Sequence, residues 1–154
     1  MQWDATEHAG FTSGVPWLPV NPNHTWLNAK SQVDDPGSIF AYYRTLIRLR
    51  HQMPIFAAGD FEPVMAGDAA VWAYIRRTDT QRMLVLANCG REAREIRLPG
   101  WEGATLLLAN MAGTGAAARS PSAALAGWEA RIYLAGSAGP LSSALSESCL
   151  SGLG

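Results

Sequence analysis

Residues 34–50 constrain the fold more than any other part of the chain, because they form its only sustained helical pattern and that pattern is greasy around most of its circumference. Ile39, Tyr42, Tyr43, Leu46, Leu49 and Met53 recur at the i, i+3, i+4, i+7 spacing of a buried stripe, and Phe40 and Ile47 widen it. Asp35 is expected to cap the first turn, with Pro36 at the first helical position, where no N–H donor is needed. Arg48, Arg50 and His51 complement the dipole at the other end, and Pro54 marks the stop. A helix of this kind needs partners on two sides.

Before it, residues 1–33 show neither helical nor strand periodicity, yet they carry Trp3, Phe11, Trp17 and Trp26 among Gly10, Gly14, Pro16, Pro19 and Pro22. Loops beyond roughly 12 to 15 residues in compact domains tend to be functional lids or misassigned elements. The aromatic rings have two readings: they pin the loop to a core, or they line a sugar site by lying flat against pyranose faces. After the helix the period changes from about 3.6 to 2, and the domain boundary is placed near Pro54. Strands are expected over residues 59–65, 69–77, 82–88, 92–98, 104–109 and 128–134, with turns at Asp79 and at Pro99-Gly100. About six short strands with turns between them predict an antiparallel β-sandwich, so the fold class is all-β dominated, preceded by a long loop and one α-helix. Residues 113–127 are Ala/Gly/Ser-rich and read as an irregular loop; residues 136–154 read as a flexible tail.

Composition excludes several functions. The chain has 154 residues, a net charge of -1 and a single lysine, Lys30, so the basic surface that nucleic-acid binding requires is missing. No apolar run approaches the ~20 residues of a membrane span, and the first residues have no signal-peptide pattern, so a cytoplasmic location and no membrane partner are expected. Cys89 and Cys149 sit in dissimilar contexts and are read as free thiols. His8, His24 and His51 share no ligand spacing, so no metal site and no cofactor are expected. The acidic pair Asp34/Asp35 is accounted for by helix capping, whereas Asp4, beside Trp3 and ahead of the aromatic loop, reads either as a turn carboxylate or as a group facing a ligand. Thr12 and Ser13 lack a nucleophile elbow. The residues supply no complete catalytic set.

Several motifs in order nevertheless resemble one family. Met1-Gln2-Trp3-Asp4, Ala9-Gly10-Phe11-Thr12, Pro16-Trp17, Val20-Asn21-Pro22-Asn23, Asp35-Pro36, the helix itself and Gly59-Asp60-Phe61 are similar to the end of α-glucosidases of the α-amylase superfamily, glycoside hydrolase family 13, above all the oligo-1,6-glucosidase group. The match is dense to about Val64 and continues more thinly through Val71-Trp72-Ala73-Tyr74, Leu84-Val85-Leu86-Ala87-Asn88 and Glu129-Ala130-Arg131-Ile132-Tyr133. Enzymes of that family are a (β/α)8 barrel followed by an antiparallel sandwich, domain C. The resemblance implies that residues 1–53 are the last loop and helix of a barrel, 54–135 domain C and 136–154 a tail. It places Gln2, Trp3, Asp4 and Phe11 at the substrate rim, on the barrel face where active sites lie.

The resemblance supplies no catalytic residue, since the family's nucleophile, acid and stabilising aspartate come from earlier barrel strands. Family members carry arginine, threonine and proline ahead of the motif methionine, so a truncated or wrongly started reading frame, or a deliberately cut chain, is expected. The function implied is that of the C-terminal part of an α-glucosidase hydrolysing α-1,6 or α-1,4 bonds of short oligosaccharides. By itself it is expected to be inactive, with the absent barrel as its partner and self-association through the uncovered helix face. The competing reading is a stand-alone β-sandwich carbohydrate-binding module using Trp17, Trp26 or Trp72, which saturable fluorescence quenching by maltose or isomaltose would reveal.

Overall fold

A computed structural model describes residues 1–64, 68–111 and 124–136. The expected tail from residue 137 on, Cys149 and most of the Ala/Gly/Ser-rich segment lie outside the described residues. The chain divides into two compact units, one holding Met1–Arg48 and the other Leu49–Gly139.

In the first unit the long leader is not wholly irregular. A 3-10 turn, Pro22–Thr25, is capped by Asn21, and a short helix α1, Ala29–Val33, begins at Asn28 with a reciprocal capping box to Ser31. The leader also pairs with itself: Ala29 N–H donates to Gln2 O at 2.9 Å and Lys30 N–H to Trp3 O at 2.9 Å. A five-residue helix is too short to show a period, and polar capping rather than an apolar face defines it.

The main helix, α2, runs Ile39–Gln52, three residues later at its start than the sequence suggests. Its cap is Ser38, whose Oγ accepts the Ala41 N–H at 3.1 Å, while Gln32 Oε1 accepts that of Phe40 at 3.2 Å. Asp35 instead closes a turn by accepting the Gly37 N–H at 2.9 Å. Within Met1–Arg48 the described apolar residues that are buried are Ala9 and Ala41 alone. On α2, Ile39, Tyr43 and Ile47, spaced four apart, remain 69%, 61% and 54% exposed.

The second unit has a true core. A short helix α3, Ile55–Ala58, leads into β1 Asp60–Val64, β2 Val71–Arg77 and β3 Gln81–Asn88, and then β4 Arg94–Glu95, β5 Thr105–Ala109, β6 Ala124–Leu125 and β7 Ala130–Gly136. Five strands form one antiparallel sheet in the order β1-β2-β3-β7-β5, and β4 pairs with β6 in a second layer. Alternation fixes the faces. Val71, Ala73 and Ile75 of β2, Leu84 and Leu86 of β3 and Tyr133 of β7 point inward, onto Ile96, Leu98, Trp101, Ala104 and Leu125. Where the sequence suggests a strand over residues 92–98, only two residues pair; Ile96 and Leu98 are core residues in irregular backbone. β6 lies inside the stretch read as loop, because two ladder residues leave no periodic trace.

The outer face of the large sheet is partly covered. α3 lies against β2 and β3, and Arg76 reaches back to it, its Nε donating to Ile55 O at 3.0 Å and Nη2 to Gly59 O at 2.6 Å. Ile55 and Met83 are thereby 0% and 1% exposed. Two rows along, in Trp72, Ala87 and Ala130, only Trp72 is exposed, while Ala87 and Ala130 are half-buried. Among the described residues no helix is long and apolar enough to cross a membrane.

Candidate functional site

The candidate site belongs to the leader of the first unit, whose shape is set by hydrogen bonds rather than by burial. Trp3 N–H donates to Ala9 O at 2.8 Å, folding residues 3–9 into a small lobe. Inside it Asp4 Oδ1 accepts the Thr6 N–H at 3.0 Å and the Thr6 hydroxyl at 2.6 Å, and Thr6 Oγ1 in turn accepts the Gly10 N–H at 3.0 Å. Ala9 and Gly10 both take positive φ, 54° and 64°, and a Cβ on Gly10 would stand 2.9 Å from Asp4 Oδ2. Glycine is therefore required here by conformation and by space alike. The Gln2 side chain donates to Leu27 O, tying the lobe to the segment before α1.

A cleft of about 260 Å³ opens beside this lobe, walled by Phe11, Trp17, Pro16 and Leu18, with Gln2, His8 and Asn21 supplying polar groups. Of the four residues expected at a substrate rim, Gln2 and Phe11 line this cleft, whereas Trp3 and Asp4 do not. Trp3 is half exposed, and Asp4 is committed to Thr6. His8 and Trp17 join the lining; only the folded path of the loop, which no sequence spacing encodes, brings them there. An apolar wall with a few amide and imidazole groups suits a neutral polyhydroxyl ligand. The lining includes no carboxylate, so this cleft can hold a ligand but lacks the carboxyl pair that glycoside hydrolysis needs. Among the described residues no cluster of three or more His, Cys, Asp or Glu could hold a metal.

The Thr6 hydroxyl first, and the Thr6 N–H second, hold the Asp4 carboxyl below its ordinary value. A carboxyl depressed in the folded state contributes to loop order above the unfolded value of about 3.9, and that contribution is lost as the pH falls through the lower folded value. The Thr6 amide resonance is therefore expected to titrate with a midpoint below 3.9, and Asp4→Asn to abolish the titration; a midpoint at or above 3.9 would contradict the clasp. Asp4 is partly exposed and all its bonds are to the neighbouring loop, so the effect is one of local order.

The model of the α-amylase catalytic domain matches residues 1–59. An oligo-1,6-glucosidase of Parageobacillus thermoglucosidasius is 37% identical over 136 residues, 86% of this chain and 24% of the relative. The trehalose-6-phosphate hydrolase of Bacillus subtilis is 39% identical over 88 residues, 57% of the chain and 16% of the relative. Among solved structures, a trehalulose synthase superposes with a TM-score of 0.79 at 38% identity, covering 87% of this chain and 24% of that one. A trehalose-6-phosphate hydrolase of Bacillus licheniformis superposes at 0.76 with 31% identity, covering 86% and 24%. The chain thus spans about a quarter of the length of the relatives it matches.

Proposed function

Because the chain belongs to the α-amylase family, glycoside hydrolase family 13, we propose that it serves as the C-terminal part of an α-glucosidase acting on α-1,6 or α-1,4 bonds of short oligosaccharides. On this reading residues 1–53 close a (β/α)8 barrel and residues 54–135 are its domain C. The chain's own contribution is scaffold and substrate rim.

The observation that carries the reading is the imbalance of burial in the first unit. Its described buried apolar residues are two alanines, while Phe11, Trp17, Trp26, Ile39, Tyr43 and Ile47 are each more than half exposed. Burying a large apolar side chain gains on the order of 1.5 to 3 kcal/mol. A segment that forgoes this for so many residues is built to lie against another body, and a barrel's outer helices and strand ends are such a body. The cleft beside Gln2 and Phe11 then sits at the mouth of the barrel, where rings and amides orient a glucoside while carboxylates from other strands act on it.

The test is a graft: this chain replaces the last quarter of the P. thermoglucosidasius oligo-1,6-glucosidase, and the chimera is assayed on isomaltose. A folded, active chimera is the expected result; failure to fold or to release glucose would overturn the reading. In isolation the chain is expected to self-associate through Ile39, Tyr43 and Ile47, since monomers seldom expose an apolar patch of several hundred Å². Sedimentation should show dimers or larger species at high concentration, shifted toward monomer by Tyr43→Lys; a clean monomer in the parent chain would contradict this.

A further inference from the structure

Of the polar side chains that line the cleft of the first unit, the fold leaves one unspent. Gln2 donates its side-chain amide to Leu27 O, and Asn21 Oδ1 accepts the Asn23 N–H at 3.2 Å. Neither ring nitrogen of His8 has a hydrogen-bond partner among the described residues, although the side chain is half-buried in the cleft wall. His24 shows the contrast: it lies outside the lining, and its Nδ1 meets Asn21 O at 2.9 Å. Each imidazole nitrogen donates or accepts according to the tautomer, so a free ring can bond a hydroxyl in either sense.

The backbone on both sides of His8 is fixed. Ala9 N–H donates to Thr6 O at 2.8 Å, and Phe11 N–H to His8 O at 3.0 Å. Ala9 is 2% exposed at φ 54°, and its carbonyl accepts the Trp3 N–H at 2.8 Å. A residue other than glycine persists in the left-handed region where its surroundings over-determine it, and such places cluster at ligand clamps. The turn therefore carries the imidazole on a rigid mount. A group held in this way has little freedom left to lose when a ligand binds.

The cleft itself narrows what the ligand is. Its volume of about 260 Å³ lies just below the ~300 to 1,000 Å³ of pockets that enclose drug-sized molecules, so it has room for one sugar ring. Phe11 and Trp17, 61% and 89% exposed, offer flat apolar walls for a pyranose face. The lining holds no arginine, lysine or carboxylate, which suits an uncharged ring. The sugar under attack must meet a carboxylate nucleophile, and this cleft has none to offer it. In a disaccharide the unit that remains is the leaving sugar.

We propose that His8 is a specificity-determining residue that hydrogen-bonds a hydroxyl of the leaving sugar, so that the cleft selects α-glucosides whose leaving group is itself an uncharged sugar. The proposal rests on the function proposed above and adds to it the residue and the group that it recognises. The test compares two substrates in the chimera: isomaltose, whose leaving group is glucose, and phenyl α-glucoside, whose leaving ring carries no further hydroxyl. His8→Leu should raise the KM for isomaltose roughly five- to ten-fold, the weight of one hydrogen bond, with kcat within about two-fold. For phenyl α-glucoside both constants should stay within about two-fold of the parent chimera. His8→Gln keeps a donor and an acceptor and should recover most of the loss on isomaltose. Should His8→Leu prevent folding, His8→Ala, which only removes atoms from a half-exposed side chain, carries the same comparison. An active chimera in which the change affects both substrates equally, or neither, would overturn the proposal and leave the proposed function intact. Equal losses for His8→Leu and His8→Gln would overturn it as well, since a hydrogen-bonding role predicts a difference between them. A chimera that neither folds nor acts would overturn the proposed function, and this proposal with it.

Discussion

Purified by itself, the chain should release no glucose from isomaltose above the uncatalysed rate, and grafted behind a relative's barrel it should support full hydrolysis. The retaining reaction needs a carboxylate nucleophile and a carboxylic acid about 5 to 5.5 Å apart, one to attack the sugar and the other to protonate the leaving oxygen. In the first unit the cleft is lined without either. Asp4, two residues from the lining Gln2, spends its oxygen on Thr6, and that bond favours the ionised form, which cannot act as an acid near neutral pH. Glycosidase-type acceleration is of the order of a million-fold or more, so the difference between the two preparations is not subtle. Activity in the isolated chain that survives Asp4→Asn and Glu7→Gln together would mean contamination by another enzyme; activity that those changes abolish would overturn the reading.

The large sheet was legible from the sequence because β2 alternates over seven residues, long enough for a period of two to be read, and β3 returns after the Asp79 turn as a near-continuous apolar run buried on both faces. The second layer was not. Its strands have two residues each, and what holds it is Ile96, Leu98 and Leu125 in the core together with Asn88, whose Nδ2 donates to Glu92 O at 2.8 Å and Ala126 O at 2.9 Å. None of those contacts has a sequence signature. The start of α2 misled for a different reason: Asp35-Pro36 and Ser38 are both acceptable caps, and the chain uses the serine because Asp35 closes a turn on Gly37. In the candidate site, Asp4 and Thr6 form a local Asx-type turn that the two-residue spacing could have disclosed. The cleft could not be foreseen, since Phe11, Trp17 and Asn21 meet through a path fixed by backbone bonds far apart in sequence, such as Ala29 N–H to Gln2 O.

β7 was read as a strand, but periodicity could not say which of its faces is buried, and the answer yields the largest expected effect on stability. Toward the second layer lie Glu129, Arg131 and Tyr133, at 2%, 5% and 0% exposure, while the alternate set Ala130, Ile132 and Leu134, of which Ile132 is also buried, takes the other face. The pair is bidentate: Arg131 Nε donates to Glu129 Oε1 at 2.7 Å and Nη2 to Oε2 at 2.9 Å. Each partner also serves the second layer, Glu129 Oε2 accepting the Ala126 N–H at 2.8 Å and Arg131 Nη2 donating to Ala124 O at 2.9 Å. Removing one member leaves a buried charge uncompensated, a loss of about 3 to 5 kcal/mol, and a domain of this size has only about 5 to 15 kcal/mol in total. Arg131→Ala should therefore lower the urea midpoint steeply. Arg131→Met with Glu129→Leu removes both charges and keeps the volume, so its loss should shrink toward about 1 to 3 kcal/mol, the cost of the Ala126 and Ala124 backbone groups left without partners. If the double variant proved no more stable than Arg131→Ala, or the single variant lay within about 1 kcal/mol of the parent, the pair would not be what fastens β6 and the second layer to the sheet.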